Sequence, residues 1–178
     1  RPLLDAESPH RPATVAFLDD WLTQASAAER RLVFRAHFRR LADAIEQETD
    51  PAIMERFAAL CAELVLEAIE SGMVDEAARL VWAFGKRRDA RAGARVEIER
   101  VAKSLHQRVI SDGRFLILRE DFLGSDVERR ARAANLIEGM GREAVDWLVE
   151  LYLRCETLST ESFLLSHLVR LTPHSGEA

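Results

Sequence analysis

Arginine is the residue type most concentrated in a way that could do chemistry. Residues 86 to 95 read KRRDARAGAR and set Lys86, Arg87, Arg88, Arg91 and Arg95 against the single acid Asp89. Arg129, Arg130 and Arg132 form a second cluster. A guanidinium presents its donors in a planar fork that matches phosphate or carboxylate bidentately. Two such clusters on one edge of a fold could hold a nucleic-acid backbone or an acidic protein surface. Against the phosphate reading stand a formal charge of −5 and a basic run with no interleaved aromatic residue. Glu97, Glu99, Glu120, Asp121 and Glu128 offset the arginines, and ordinary solvated charge is the more economical expectation.

Other chemistry-bearing groups do not converge along the chain. A di-iron bundle needs Glu-x-x-His twice, because i and i+3 put both ligands on one helix face. The match at Glu7 and His10 sits in a proline-rich start. The five histidines, at 10, 37, 106, 167 and 174, include no i, i+4 pair. His37 and His106 are expected to border packed helix faces. Cys61 and Cys155 fit no zinc or redox spacing and are expected to be buried, reduced thiols. Gly139-Met140-Gly141 lacks the preceding strand and third glycine of a dinucleotide loop, and the chain has neither a phosphate-loop Gly-Lys-Ser/Thr nor Gly-x-Ser-x-Gly. Glu46, Glu48 and Asp50 read as a solvated turn. No catalytic residue, cofactor site or metal site is expected.

The elements that position these groups are helical. Of 178 residues, 48% are hydrophobic and 31% charged, with only 8 Gly and 5 Pro, a balance that favours helix over sheet. Residues 1–12, with three prolines, read as a disordered lead-in or linker, 13–171 as one helical domain, and 172–178 as a polar tail. The first residue is not Met, so a piece of a longer protein is expected. A first short helix would pack Val15, Leu18, Trp21 and Leu22. Ser26 and Glu29 form a capping box ahead of a helix carrying Phe34, Phe38, Leu41 and Ile45 inward. Asp50-Pro51 starts the next helix, with Ile53, Phe57, Leu60, Leu64 and Ala68 as its stripe, and Gly72 stops it. Further stripes run through Val74 to Phe84 and through Ile98, Val101, Leu105 and Val109. Gly113 and Gly124 bracket a short helix, and Ser125 to Glu128 read as a second capping box. No apolar run reaches 18 residues, so no membrane span is expected.

Residues 126 to 154 carry the most specific pattern. Ala133, Leu136, Ile137 and Met140 fall at i, i+3, i+4 and i+7, and after Gly141 the spacing resumes at Val145, Leu148, Val149 and Tyr152. Trp147 lies beside that second stripe and is expected to pack on a neighbouring unit. A turn this tight makes two helices antiparallel with their apolar faces together, and the pair must then stack on a neighbour. The run resembles a HEAT repeat, the helix-pair unit of α-solenoids. Asp126, Glu128, Arg130, Ala133, Ala134, Ile137, Met140 and Gly141 follow the order of the family's first helix, and Ala144, Val145, Leu148 and Leu151 that of its second. Arg129 and Asp146 depart from it, at positions usually aliphatic and often proline. TESFLLSHLVRL looks like the first helix of a following unit without its partner. The resemblance implies a curved surface for extended partners.

The resulting expectation is an all-α chain of eight or nine helices in antiparallel pairs, stacked as a short right-handed solenoid or an irregular bundle. Its function would be a non-catalytic protein–protein interaction scaffold within a larger cytoplasmic, bacterial-looking regulatory protein. A second reading is a nucleic-acid-binding module using the eight basic residues named above. A third is a HEAT-like enzyme or lyase with a ligand in its concave face.

Overall fold

Helix starts are set by side chains that satisfy orphan backbone N–H groups. At Ser26 the capping box forms as expected: its backbone N–H donates to Glu29 Oε2 at 2.9 Å, and its hydroxyl oxygen accepts from Glu29 N–H at 3.4 Å. Asp50 Oδ1 accepts from Ala52 N–H at 2.9 Å, with proline at the first helical position. In the computed structural model, which describes residues 24–48, 50–85, 92–155 and 157–172, these signals open the helices α1 (Ala27–Gln47) and α2 (Pro51–Glu70). There follow α3 (Val74–Gly85), α4 (Ala92–Ser111), a 3₁₀ turn Gly113–Leu116, α5 (Ile117–Leu123) and α6 (Val127–Met140). A second 3₁₀ turn Gly141–Ala144, α7 (Val145–Leu153) and α8 (Leu158–Leu171) complete them. The lead-in, the expected helix through Trp21 and residues 173–178 lie outside the described residues. Among the described residues the protein is all-α, with eight α-helices and no strand.

α1 packs on α2 and α3, α2 on α3 and α4, α3 on α6, α5 on α6, and α7 on α8. Because α2 meets α1, α3, α4 and α5, its buried sector is broad: Met54, Phe57, Cys61, Leu64, Val65 and Ile69 are all buried. It ends in left-handed Gly72, where Met73 N–H reaches back to Ala68 O at 2.8 Å. Arg30 ties α1 to the far end of α2, donating from Nε to Glu67 Oε1 at 2.7 Å.

The tightest crossing is that of α3 on α6. A Cβ at Gly139 would lie 3.0 Å from Trp82 Nε1 and 3.1 Å from Val81 Cγ1, close enough that these side chains would have to give by a few tenths of an ångström. Trp82 uses the closeness to donate from Nε1 to Asn135 O and Oδ1, each at 3.1 Å. Ala77, Ala78, Ala133 and Leu136 complete the seam, all fully buried.

Three expectations are corrected. The cap of α6 is Asp126, not Ser125; its Oδ1 accepts from Glu128 and Arg129 N–H at 3.0 and 3.1 Å. The inner stripe of α7 is Ala144, Trp147, Leu148 and Leu151, while Val149 is exposed and Val145 half-buried. The two stripes share Leu148 and differ by one residue in phase, and the observed one seats Trp147 against Phe115 and Phe122. Glu48 is fully buried, not part of a solvated turn: its Oε1 accepts from Asp50 N–H at 2.8 Å and braces the α1–α2 corner.

Leu136→Asp puts an unpaired carboxylate in the α3–α6 seam and is expected to lower unfolding free energy by at least about 3 kcal/mol in urea titration. An unchanged midpoint would show that Leu136 is not core. Gly139→Leu pushes a side chain into the Trp82 indole. Overpacking of about 1–3 kcal/mol outweighs the roughly 1 kcal/mol gained in helix propensity, so its midpoint also falls.

Candidate interaction surface

Of the eight basic residues, Lys86, Arg87, Arg88 and Arg91 lie outside the described residues, and Arg95 lies in α4 with its side chain outside them. The cluster at the start of α6 is largely engaged within the fold. Arg130 donates from Nε to Gly124 O at 3.0 Å and from Nη2 to the same oxygen, and its guanidinium lies 5.0 Å from the Phe163 ring centroid. It thereby fastens the α5–α6 corner to α8. Arg129 is exposed, with Asp121 at 3.6 Å and Asp126 at 3.7 Å. Arg132 is half-buried. Two arginines adjacent in sequence thus have unrelated tasks, a distinction that residue type does not carry.

The other feature of this end is apolar. On α8, Leu158, Leu165 and Val169 are exposed, and at i, i+7 and i+11 they share one narrow sector on nearly the opposite side of the helix from buried Leu164 and His167. On α7, Val149 and Leu153 are exposed one turn apart. Tyr152 donates from its hydroxyl to Glu161 Oε1 at 2.9 Å, which fixes how the antiparallel helices face one another. Each helix of the pair thus carries exposed apolar side chains away from its buried face. Leu158 is 82% exposed and Leu153 77%, far from the values of core leucines. The spacing of 158, 165 and 169 was visible in the sequence; the exposure of Val149, which the spacing placed in the inner stripe, was not.

Trp147 belongs to the packing beneath this hairpin, as expected. It meets Phe115 and Phe122 edge-on at 5.2 and 5.8 Å between ring centroids. Among the histidines, His37 is exposed rather than bordering a packed face, whereas His106 and His167 are buried. Burial pushes His106 below its ordinary value, while Glu143, 4.0 Å away, and the backbone at Val81 and Met140 act the other way. Cys61 is buried, which pushes its thiol far up and leaves it unreactive; Cys155 is half-buried, and both are free.

A shallow cleft of about 190 Å³ lies between α2 and α4, floored by Ala58, Ala59 and Leu105 and rimmed by Glu55 and Arg108. It is smaller than the ~300 Å³ at which small-molecule sites usually begin. Near it, Arg114 donates to Asp112 at 2.9 and 2.8 Å and to Glu63 at 3.0 Å. These bonds hold the Asp112 carboxyl at about 2 and join α2 to the α4–α5 corner. Among the described residues no group of three or more His, Cys, Asp and Glu is placed to hold a metal ion, and no helix is long and apolar enough to cross a membrane.

Arg130→Ala removes the donors to Gly124 O and the cation over Phe163, and is expected to lower stability by about 1–3 kcal/mol. Arg129→Ala, losing only exposed ion pairs, should stay within about 0.5 kcal/mol of the parent. Equal effects in thermal unfolding would contradict this division of roles. Comparison with known proteins places no relative beside this chain: no family model, no curated protein and no solved structure matches it.

Proposed function

We propose that the protein is a non-catalytic interaction module whose α7–α8 groove receives an amphipathic helix from a partner protein. The observation that carries this reading is the pair of exposed apolar stripes, Val149 and Leu153 facing outward with Leu158, Leu165 and Val169. Exposed apolar residues at helical spacing on two packed helices favour contact with an amphipathic helix. The packing order supports the choice. α1 meets α3 and α2 meets α4, a next-but-one stacking consistent with an α-solenoid of the HEAT type. In such a stack α8 is the first helix of a unit, and its missing companion is itself a helix. The two free cysteines suit a cytoplasmic setting, as part of a larger regulatory protein.

The nucleic-acid reading is less well supported, since Arg130 is held by Gly124 O and Phe163 and Arg129 lies by two aspartates. The test introduces a photo-crosslinking residue in place of Ser166, beside the stripe, and captures partners from lysate with and without nuclease. The expected product is a nuclease-resistant crosslink to an amphipathic helical segment, abolished by the pair Leu165→Glu and Val169→Glu at unchanged melting temperature. A crosslink that survives both glutamates would refute the groove. Recovery lost to nuclease or to a few-fold rise in salt would favour phosphate binding instead.

A further inference from the structure

We propose that α8 is held on the fold by a proton-sensitive latch centred on His167, so that mild acid frees this helix while the helices before it stay folded.

His167 is 5% exposed and closes a small aromatic cluster. Its ring lies 4.6 Å from that of Phe163 and 5.6 Å from that of Phe122, which are themselves 4.9 Å apart. Its Nδ1 is 3.0 Å from Glu138 Oε1, and the same oxygen accepts from Arg170 Nη1 at 2.6 Å. One carboxylate oxygen on α6 therefore serves two groups on α8, of which only one carries a fixed positive charge. With His167 neutral, Glu138 and Arg170 balance as charges, and Nδ1, although 3.0 Å from the carboxylate, makes no aligned hydrogen bond to it.

A second proton changes that balance. The charged groups around His167 are Glu138 and Arg130 on α6 and Arg170 on α8 itself. α5 presents the Phe122 ring, and α7 meets α8 through Tyr152 and Glu161, nearly two turns earlier along the helix. An imidazolium would add a buried cation beside Arg170 in return for one carboxylate already shared. Burial is the largest influence and pushes His167 below its ordinary 6.5, Arg170 adds to it, and Glu138 opposes both.

The sign follows. A histidine depressed in the docked state and ordinary in the undocked state binds more protons when undocked. Docking is therefore at full strength above about pH 6.5 and weakens as pH falls below it, by up to tenfold per unit, until the docked value is reached. The rest of α8 offers little to resist this. Leu164 is its other fully buried side chain, with Phe163, Leu168 and Leu171 partly buried, and the remaining ties are the Tyr152–Glu161 hydrogen bond and Arg130 over Phe163. An element with so few buried contacts opens at lower cost than the core, and one charge can tip it. The latch belongs to the helix itself and operates whether or not the α7–α8 groove takes a partner.

Hydrogen exchange of the full chain, read by mass spectrometry at pH 7.5 and pH 5.5 and corrected for intrinsic exchange rates, tests this. The expected result is a loss of protection, at most about tenfold, confined to 158–171, with 127–140 and 51–70 retaining theirs. His167→Phe, which keeps a ring in the cluster and cannot titrate, should remain equally protected at both pH values. His167→Gln, a second non-titrating variant, should give the same pH-independence even if its α8 is less protected throughout. Unchanged protection of 158–171 in the parent, loss shared uniformly by all helices, or a pH dependence that persists in both variants would each overturn the latch.

Discussion

The close approach of α3 to α6 is the constraint on which the other contacts depend. α1 to α4 pack among themselves, and α5 to α8 are assembled around α6 and α7, so the α3–α6 seam is where the two groups chiefly meet. Gly139 sets its depth. Removing one Cβ lets the Trp82 indole settle against the α6 backbone and reach Asn135, while the alanines at 77, 78 and 133 keep the remainder of the seam shallow. Close backbone approach gains dispersion contact along the whole crossing, and the indole N–H finds acceptors that burial would otherwise deny it. The same placement carries α6 forward to Met140, beyond which Ala144 starts the inner face of α7.

Most of the helical layout was legible because it rests on local chemistry. Ser26 with Glu29, Asp50 with Pro51, and Gly72 act within one turn of chain, so their signals need no knowledge of the fold. The stripes of α2, α3 and α4 were legible because burial repeats at helical period. What failed had a nonlocal or phase-dependent cause. Ser125 and Asp126 are both good caps, and only the path of the preceding chain selects Asp126. Val149 took its place in a stripe counted at helical spacing from Val145; the buried stripe, Trp147, Leu148 and Leu151, is selected by the aromatic rings of Phe115 and Phe122 that Trp147 meets. Glu48 looked solvated because nothing local says that α1 and α2 close over it.

The candidate surface was legible in part for the same reason. Leu158, Leu165 and Val169 lie on one helix and their spacing can be counted. The exposure of Val149 and Leu153 depends on which face of α7 is packed, and the Tyr152–Glu161 hydrogen bond ties α7 to α8. Arginines were harder still. Composition gives them charge but not occupation, and three next to one another at 129, 130 and 132 divide into an exposed ion-pair member, a structural fastener and a half-buried residue. A basic cluster read from sequence counts charges, whereas a binding site needs charges that the fold has left free.

The fastening of α8 reflects a limit on how much apolar surface one helix can bury. Fourteen residues with one neighbour on each side present two apolar sectors, and the fold covers only one, that of Phe163, Leu164 and His167. Had the covered sector been wholly aliphatic, hydrophobic burial alone would fix α8, with no titrating group in between. Instead it ends in an imidazole, a shared carboxylate and two guanidiniums, whose attraction depends on geometry and on protonation. Polar fasteners of this kind yield less net stability than the same area of packed leucine, because each must recover its own desolvation. They do allow a helix to be attached firmly under one condition and loosely under another. The proposed latch therefore lies on a helix that also exposes Leu158, Leu165 and Val169, and the two properties have a single source in the composition of α8.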